Sequence, residues 1–459
     1  MCLGEFVYLN SSAPPGGRWY RRYQKGCISS APQARLFGFP CRRKAAYKSH
    51  RHWRYHHPLN PLNPLNLLNP VSNQITTNVS SAIHRYSHTQ ENTMSNTFGE
   101  TLKVTIFGES HGTAIGAVID GLPAGISFDF EAVRREMARR APGSSNLATP
   151  RKEKDSFEIL SGYFNDHTTG TPMAMEIRNG NQHSKDYDIL KDHMRPGHAD
   201  YTGFVKYGGF NDYRGGGHFS GRITAPLTFA GALARQVLEK EGIFIGAHAV
   251  EIHGIKDRPF HPLGEEKALF EKLDTMKLPV VDEAAGKAME EAILSAQKEG
   301  DSVGGVVECM ASGLPVGLGD PFFDSLESEM AHIMFSVPAV KGISFGSGFG
   351  FASLYGSEAN DSLHYEEGKP VALTNHNGGV LGGISSGSPL LFTLAVKPTA
   401  SIGKRQRTIN ISTKEDTDLS IGGRHDPCII PRAIPVIENA AALVILDLIL
   451  TDRRNSHVG

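Results

Sequence analysis

The chain has 459 residues, 47 lysines and arginines against 48 acids, and five cysteines. That length holds one large domain or two or three ordinary ones, and so few cysteines exclude a disulfide framework and fit a reducing compartment. No stretch reaches the eighteen or so uninterrupted apolar residues of a membrane span. The best, Ala440 to Leu450, carries Asp447 and reads as a buried helix.

The near-zero charge hides an asymmetry. Twelve basic residues and two acids, Glu5 and Glu91, fall between Met1 and Thr93, leaving 35 basic and 46 acidic residues for the rest. Trp19, Trp53, Cys2, Cys27 and Cys41 also lie in this leader. Residues 58–70 read Pro-Leu-Asn-Pro-Leu-Asn-Pro-Leu-Asn-Leu-Leu-Asn-Pro, a proline density that blocks helix and interior strand. A basic, acid-poor leader suits an organellar transit peptide, such as a plastid one, or a weak nucleic-acid contact. Its Asn/Pro richness and lack of amphipathic period favour another reading: the leader over 1–93 is disordered or not translated, and translation begins at Met94. A cytoplasmic protein with no nucleic-acid or membrane partner is the corresponding expectation.

In chain order, Leu102 to Ile106 alternates as a half-buried strand, and Ala114 to Asp120 makes a second. Asp129 caps a helix from Phe130 to Arg140, with Val133 and Met137 on one face and Pro142-Gly143 beyond its end. Met173, Met175 and Ile177 alternate in a strand closed by Asn179-Gly180. Helices follow over Pro226 to Glu241, with Gly242 in the C′ position, over Glu283 to Glu299, stopped by Gly300, and over Ser325 to Met334. Leu390 to Val396 is an apolar strand, and a final helix fits Val436 to Asp452. Strands and helices interleave without a βαβ repeat of fixed length, which predicts an α+β fold with sheets packed on helices. No Gly-x-Gly-x-x-Gly leaves a strand for a helix, and no phosphate loop ends in Gly-Lys-Ser/Thr. The run Gly346-Ser347-Gly348-Phe349-Gly350 has the wrong context. This argues against a nicotinamide site of the doubly wound type.

Three separated stretches join a titratable group to small residues: Phe107-Gly108-Glu109-Ser110-His111-Gly112, Arg195-Pro196-Gly197-His198-Ala199-Asp200 and Arg424-His425-Asp426-Pro427-Cys428. His111 can donate a proton to a leaving oxygen, since an unperturbed imidazole titrates near pH ~6.5; satisfying the carbonyls of a turn is an equal alternative. His198 lies between Arg195 and Asp200, which act on its charge in opposite senses. No metal is expected, because His193 and His198 lack a convincing third ligand. Asp426 can serve as a base, orient a histidine or cap the next segment. Arg140, Arg195, Arg214, Arg222 and Arg424 stand beside Gly, Pro or another such residue, and a guanidinium fork holds carboxylate or phosphate bidentately. The run Tyr213 to Arg222, with Gly215, Gly216 and Gly217, precedes a helix and suits an anion. Gly382 to Gly387 is a similar run. Together these features suggest one site for a multiply charged substrate.

These motifs, with Lys397-Pro398-Thr399, resemble chorismate synthase in order and spacing, over roughly Met94 to Arg453. The resemblance implies a single catalytic domain over 94–453, a tail over 454–459, a β-α-β sandwich and a homotetramer. It implies a carbon–oxygen lyase of the shikimate pathway, serving aromatic amino-acid biosynthesis. The reaction would be 1,4-anti elimination of phosphate from 5-enolpyruvylshikimate-3-phosphate, with reduced FMN and no net redox change. His111 would protonate the departing phosphate, His198 would protonate or hydrogen-bond the flavin near N1, and Asp426 would help N5 accept the ring proton. Ser110, Arg140, Arg195, Arg222 and Arg424 would hold the substrate. Flavin contacts would fall on His218, Phe219, Ser220, Pro338, Ala339, Gly382, Lys397, Pro398, Thr399, Ala400, Ser401 and Arg424.

The chain departs from the commonest family pattern twice. His218-Phe219-Ser220-Gly221-Arg222 stands where many members have Arg-Ser-Ser-Ala-Arg. Asn146 stands where many have arginine, which weakens an NADP site on Arg140 and Asn146 and predicts dependence on an external flavin reductase or reductant.

Overall fold

The computed structural model describes residues 96–143, 147, 155–180, 189–422 and 425–455, all within the unit Gln90–Gly459. The leader over 1–93, Asn146 and Arg424 lie outside the described residues.

Two five-stranded antiparallel sheets enclose a helical layer. The first is built from β1 (Thr97–Phe98), β2 (Lys103–Gly108), β3 (Ala114–Asp120), β4 (Phe157–Ser161) and β5 (Met173–Arg178), in the order β1-β2-β3-β5-β4. Its alternation is that read in the sequence: Met173, Met175 and Ile177 point into the core and their neighbours do not. The helix α1 (Phe130–Arg140) follows β3, capped by Asp129 Oδ1, which accepts the amides of Glu131 and Ala132. A short helix, α2 (Asp200–Lys206), leads to α3 (Thr224–Lys240), which Gly242 closes at φ +78°.

The second sheet takes β6 (Phe244–Ile252), β7 (Ile255–Lys256), β8 (Gly305–Ser312), β9 (Val340–Phe345) and β10 (Leu390–Val396), in the order β9-β10-β8-β6-β7. Between and beside these strands run α4 (Lys267–Asp274), α5 (Glu283–Lys298) and α6 (Leu326–Met334), with Ser325 capping α6. The closing helix α7 (Ile430–Asn455) packs on α3, with the first sheet against α3 and the second against α7. This is the expected α+β sandwich. Gly231 marks the helix crossing: a Cβ there would lie 2.2 Å from the Asn439 carbonyl oxygen.

The helix α7 begins at Ile430, six residues before the expected Val436, and ends three beyond the expected Asp452. Two prolines, Pro431 and Pro435, lie in the added turns. Pro431 sits in the first turn, where no helical partner for its nitrogen is needed. Pro435 withholds a donor from the Pro431 carbonyl, while its own carbonyl accepts from Asn439 Nδ2 at 2.6 Å. The helix is long and apolar enough to cross a membrane, yet 89% of its apolar window is buried in the fold. Its Asp447 is no anomaly, because the carboxylate accepts the amides of Glu100, Thr101 and Leu102 at 2.9, 2.8 and 2.6 Å and pins the β1–β2 turn to the core. Glu438, also on α7, pairs with Arg139 of α1 and Arg235 of α3, so the three helices share a buried ionic tie.

Candidate active site

A cavity of about 970 Å³ opens beside the β1–β2 edge of the first sheet, the start of α3 and the start of α7. Most of the expected site residues meet there. Ser110, Arg140, Arg195, His198, His218, Phe219, Ser220, Arg222, Pro338, Ala339, Lys397 to Ser401 and Asp426 all line it. Gly382 does not: it turns the hairpin between Val380–Leu381 and Ile384–Ser385, away from this wall.

The glycine run is the keystone of the wall. Gly215, Gly216 and Gly217 have φ of +58°, +84° and +55°, a region that costs other residues strain. Their missing side chains make room for both histidines. A Cβ on Gly215 would stand 2.2 Å from His111 Cε1 and Nδ1, and one on Gly216 would stand 3.3 Å from His198 Nε2. The Ser110 amide donates to the Gly217 carbonyl at 3.1 Å, which fixes the His111 turn to the run. His111 is buried behind Ser110 and Gly215, which form the surface there.

His198 is held by its neighbours in sequence. Its Nδ1 lies 2.6 Å from Asp200 Oδ1 and 3.1 Å from Arg195 Nη2. Arg195 in turn forks onto Asp200 through Nε and Nη2, each at 2.7 Å, and donates from Nη1 to Ser401 at 3.1 Å. Burial opposes charge on Asp200, yet the bonds from Arg195 and His198 hold its carboxyl well below the usual range. An ionised Asp200 accepts the proton of Nδ1, and Nε2 is left facing Gly216.

Arg140 and Arg222 share one carboxylate. Arg140 Nη2 donates to Asp155 Oδ2, and Arg222 Nη1 donates to Oδ1 at 2.7 Å. Burial works to neutralise Asp155, but the two guanidiniums prevail and keep it ionised. Arg222 Nε also donates to Asn179 Oδ1 at 2.8 Å. Beside Arg140, Arg432 joins two parts of the site: Nη1 donates to Asp426 at 2.5 Å and Nε to the Arg140 carbonyl at 3.0 Å. Burial pushes the nearby Cys428 thiol up to about 12, so it packs rather than reacts.

Ala339 and the Lys397 segment adjoin this part of the lining. Ala339 holds φ +75°, a strained value for alanine, and its carbonyl accepts the Lys397 amide at 2.9 Å. Lys397 Nζ donates to the Gly197 carbonyl at 2.6 Å; burial and then Lys341 lower its pKa. The two departures from the family pattern fare differently. The His218 ring is tied into the wall, with its nitrogens 2.8 Å from the Gly108 carbonyl and 3.1 Å from Asn96 Oδ1. Phe219 packs over Gly203 of α2, where a Cβ would meet its ring at 2.6 Å. Arg214, a weaker expectation, binds Asp212 and does not line the cavity.

Asp155, Asn179 and Arg432 were not singled out from the sequence. Asp155 ends a charged run, Arg151-Lys152-Glu153-Lys154-Asp155, and Asn179-Gly180 has the form of an ordinary turn, so neither carries a local signal.

A family model described as chorismate synthase matches residues 102–450. Chorismate synthase from Dehalococcoides mccartyi is 47% identical over 347 residues, covering 76% of this chain and 94% of that protein. The enzyme from Methanosarcina barkeri is 46% identical with the same coverage, and that from Thermococcus kodakarensis is 45% identical over 350 residues, 76% and 96% of the two chains. A crystal structure of chorismate synthase aligns with a TM-score of 0.61 and 27% identity over 78% of this chain and 98% of that one. Fold, motifs and relatives agree, and the chain belongs to the chorismate synthase family.

Proposed function

We propose that this cavity takes 5-enolpyruvylshikimate-3-phosphate beside reduced FMN and runs the family reaction, 1,4-anti elimination of phosphate to give chorismate. The observation that carries the reading is the seating of His111 and His198 against one triglycine turn, in a wall shared with Arg140, Arg195 and Arg222. In the reaction the C–O bond to phosphate breaks, a ring proton is lost and a second ring double bond forms, so no electrons are gained or lost overall.

The residues present fit both ligands. A volume of about 970 Å³ stands at the top of the ~300–1,000 Å³ range of small-molecule sites. Six cations line it, Arg140, Arg195, Arg222, Lys341, Lys397 and Arg432, against the single lining acid Asp426 among the described residues. Thr399 Oγ1 is buried without a hydrogen-bond partner in the described structure, which suits a polar ligand edge. The residues His218 to Ser220, Pro338-Ala339 and Lys397 to Ser401 would hold the flavin, with Arg424 carried over by motif. Bound there, reduced FMN would supply an electron-rich ring and a nitrogen able to accept a proton.

The chain's own groups do the rest. Arg140 and Arg222, aligned by Asp155, and Arg195, aligned by Asp200, hold the phosphate and the two carboxylates. His111 would donate its proton to the leaving oxygen once bound substrate parts Ser110 and Gly215, which cover it here. His198, with Nδ1 committed to Asp200, offers Nε2 to the flavin edge, and Asp426 provides the carboxylate through which the ring proton leaves. His111→Ala and His198→Ala are each expected to slow phosphate release ~10²–10⁴-fold, the span of a lost general acid, with little effect on folding, checked by thermal unfolding. Unchanged turnover in either removes that residue from the mechanism.

By the same resemblance the working unit is a homotetramer in the cytoplasm, supplied with reduced flavin from outside. Phe210, Phe322, Phe323 and Phe349 are about nine-tenths exposed on the single chain, apolar side chains that assembly would cover. Light scattering should give four copies; a monomer at micromolar concentration contradicts this.

A further inference from the structure

We propose that Asn179 is a positioning residue that locks the Arg222 guanidinium and the His111 turn into one geometry, a reading that rests on the roles proposed above for those two residues. Asn179 follows the last residue of β5, and its amide donates to the Thr113 carbonyl at 3.1 Å. Its side chain then spends every bond on the site. Oδ1 accepts from Arg222 Nε at 2.8 Å, while Nδ2 donates to the Glu109 carbonyl at 3.1 Å and the Gly112 carbonyl at 2.9 Å. Those two carbonyls bracket Ser110-His111.

The orientation of the amide is settled by its partners. Turned over, it would set N–H against the guanidinium N–H and oxygen against two carbonyl oxygens. The role also demands this residue type. Aspartate keeps the acceptor for Arg222 but loses both donors to the turn, and serine has a single hydroxyl for three partners. Asn179 lies outside the cavity lining, so it acts through what it holds. It couples the group that binds substrate to the group that gives the proton, and displacements of about 1 Å at such groups cost on the order of 10²-fold in rate.

The test is steady-state kinetics of phosphate release on Asn179→Ala, Asn179→Asp, Arg222→Met and the Asn179→Ala/Arg222→Met pair, with His111→Ala in parallel and thermal unfolding as the fold check. Asn179→Ala should lower kcat ~10²-fold and raise the substrate KM ~10-fold, the scale of one lost charge-assisted bond. In the Arg222→Met background its effect on KM should vanish while its effect on kcat persists, because only the first passes through Arg222. Asn179→Asp should lower kcat like Asn179→Ala, since both release the turn. Wild-type kcat in folded Asn179→Ala or Asn179→Asp, beside an impaired His111→Ala and Arg222→Met, overturns the inference alone. Effects of Asn179→Ala and Arg222→Met on KM that simply multiply overturn the coupling through Arg222. Wild-type turnover in all of them overturns the roles of His111 and Arg222, and this inference with them.

Discussion

Gly215 shows how strictly the site depends on single atoms. Its φ of +58° and the 2.2 Å between its would-be Cβ and the His111 ring leave no space for a methyl group. Gly215→Ala is therefore expected to cost about 1–3 kcal/mol of stability from the backbone alone and to abolish most turnover by displacing His111. A variant that keeps its unfolding midpoint and its rate would show that the turn is looser than described. At this scale much of the site was legible beforehand. Histidine, arginine and glycine in short runs announce chemistry because few other uses need them together. The residues that align them, Asp155 and Asn179, carry no such mark: each is common in turns and charged runs, and its importance arises only when distant strands bring its partners within 3 Å.

At the scale of elements, the sequence spoke clearly where period and caps agreed. Asp129, Gly242 and Gly300 bound helices as expected, and Ser325, expected inside its helix, caps it instead. Strands β6 and β8 were not anticipated, because Phe244–Ile252 and Gly305–Ser312 mix small residues with His248, Cys309 and Glu308 and show no alternation. The structure supplies the reason. His248 is fully buried between the two strands, with Nδ1 2.9 Å from Asp257 and Nε2 2.9 Å from Glu308, under the Phe260 ring. Burial pushes the imidazole pKa down, but both carboxylates outweigh it and the net shift is upward. The stabilisation is thus complete below the ordinary value of ~6.5 and is lost as pH rises through the higher folded-state value. Asp257, whose pKa is lowered, acts only at the acid end. Denaturant titrations from pH 6 to 9 should show stability declining in the wild type, with that decline reduced in His248→Asn; parallel curves would exclude His248 as its source.

At the largest scale, two antiparallel sheets on a central helical pair form the frame, and the cavity gathers residues from Asn96 to Val436 at its edge. The α+β class was visible in the irregular alternation of elements. The sheet order was not, since antiparallel neighbours such as β3 and β5, separated by more than fifty residues, leave no local trace. The acidic balance outside the leader coexists with a cationic cavity, because the acids nearest the site are spent on its arginines. The central claim is that this pocket eliminates phosphate with reduced flavin as a required, unconsumed partner. Anaerobic assay of phosphate and chorismate from 5-enolpyruvylshikimate-3-phosphate tests it most directly. Equal amounts of both products are expected with dithionite-reduced FMN, and neither with oxidised FMN, alone or with NADPH. Phosphate release at the full rate without reduced flavin would contradict the claim, and full-rate product from NADPH and oxidised FMN would contradict the need for an external reductant.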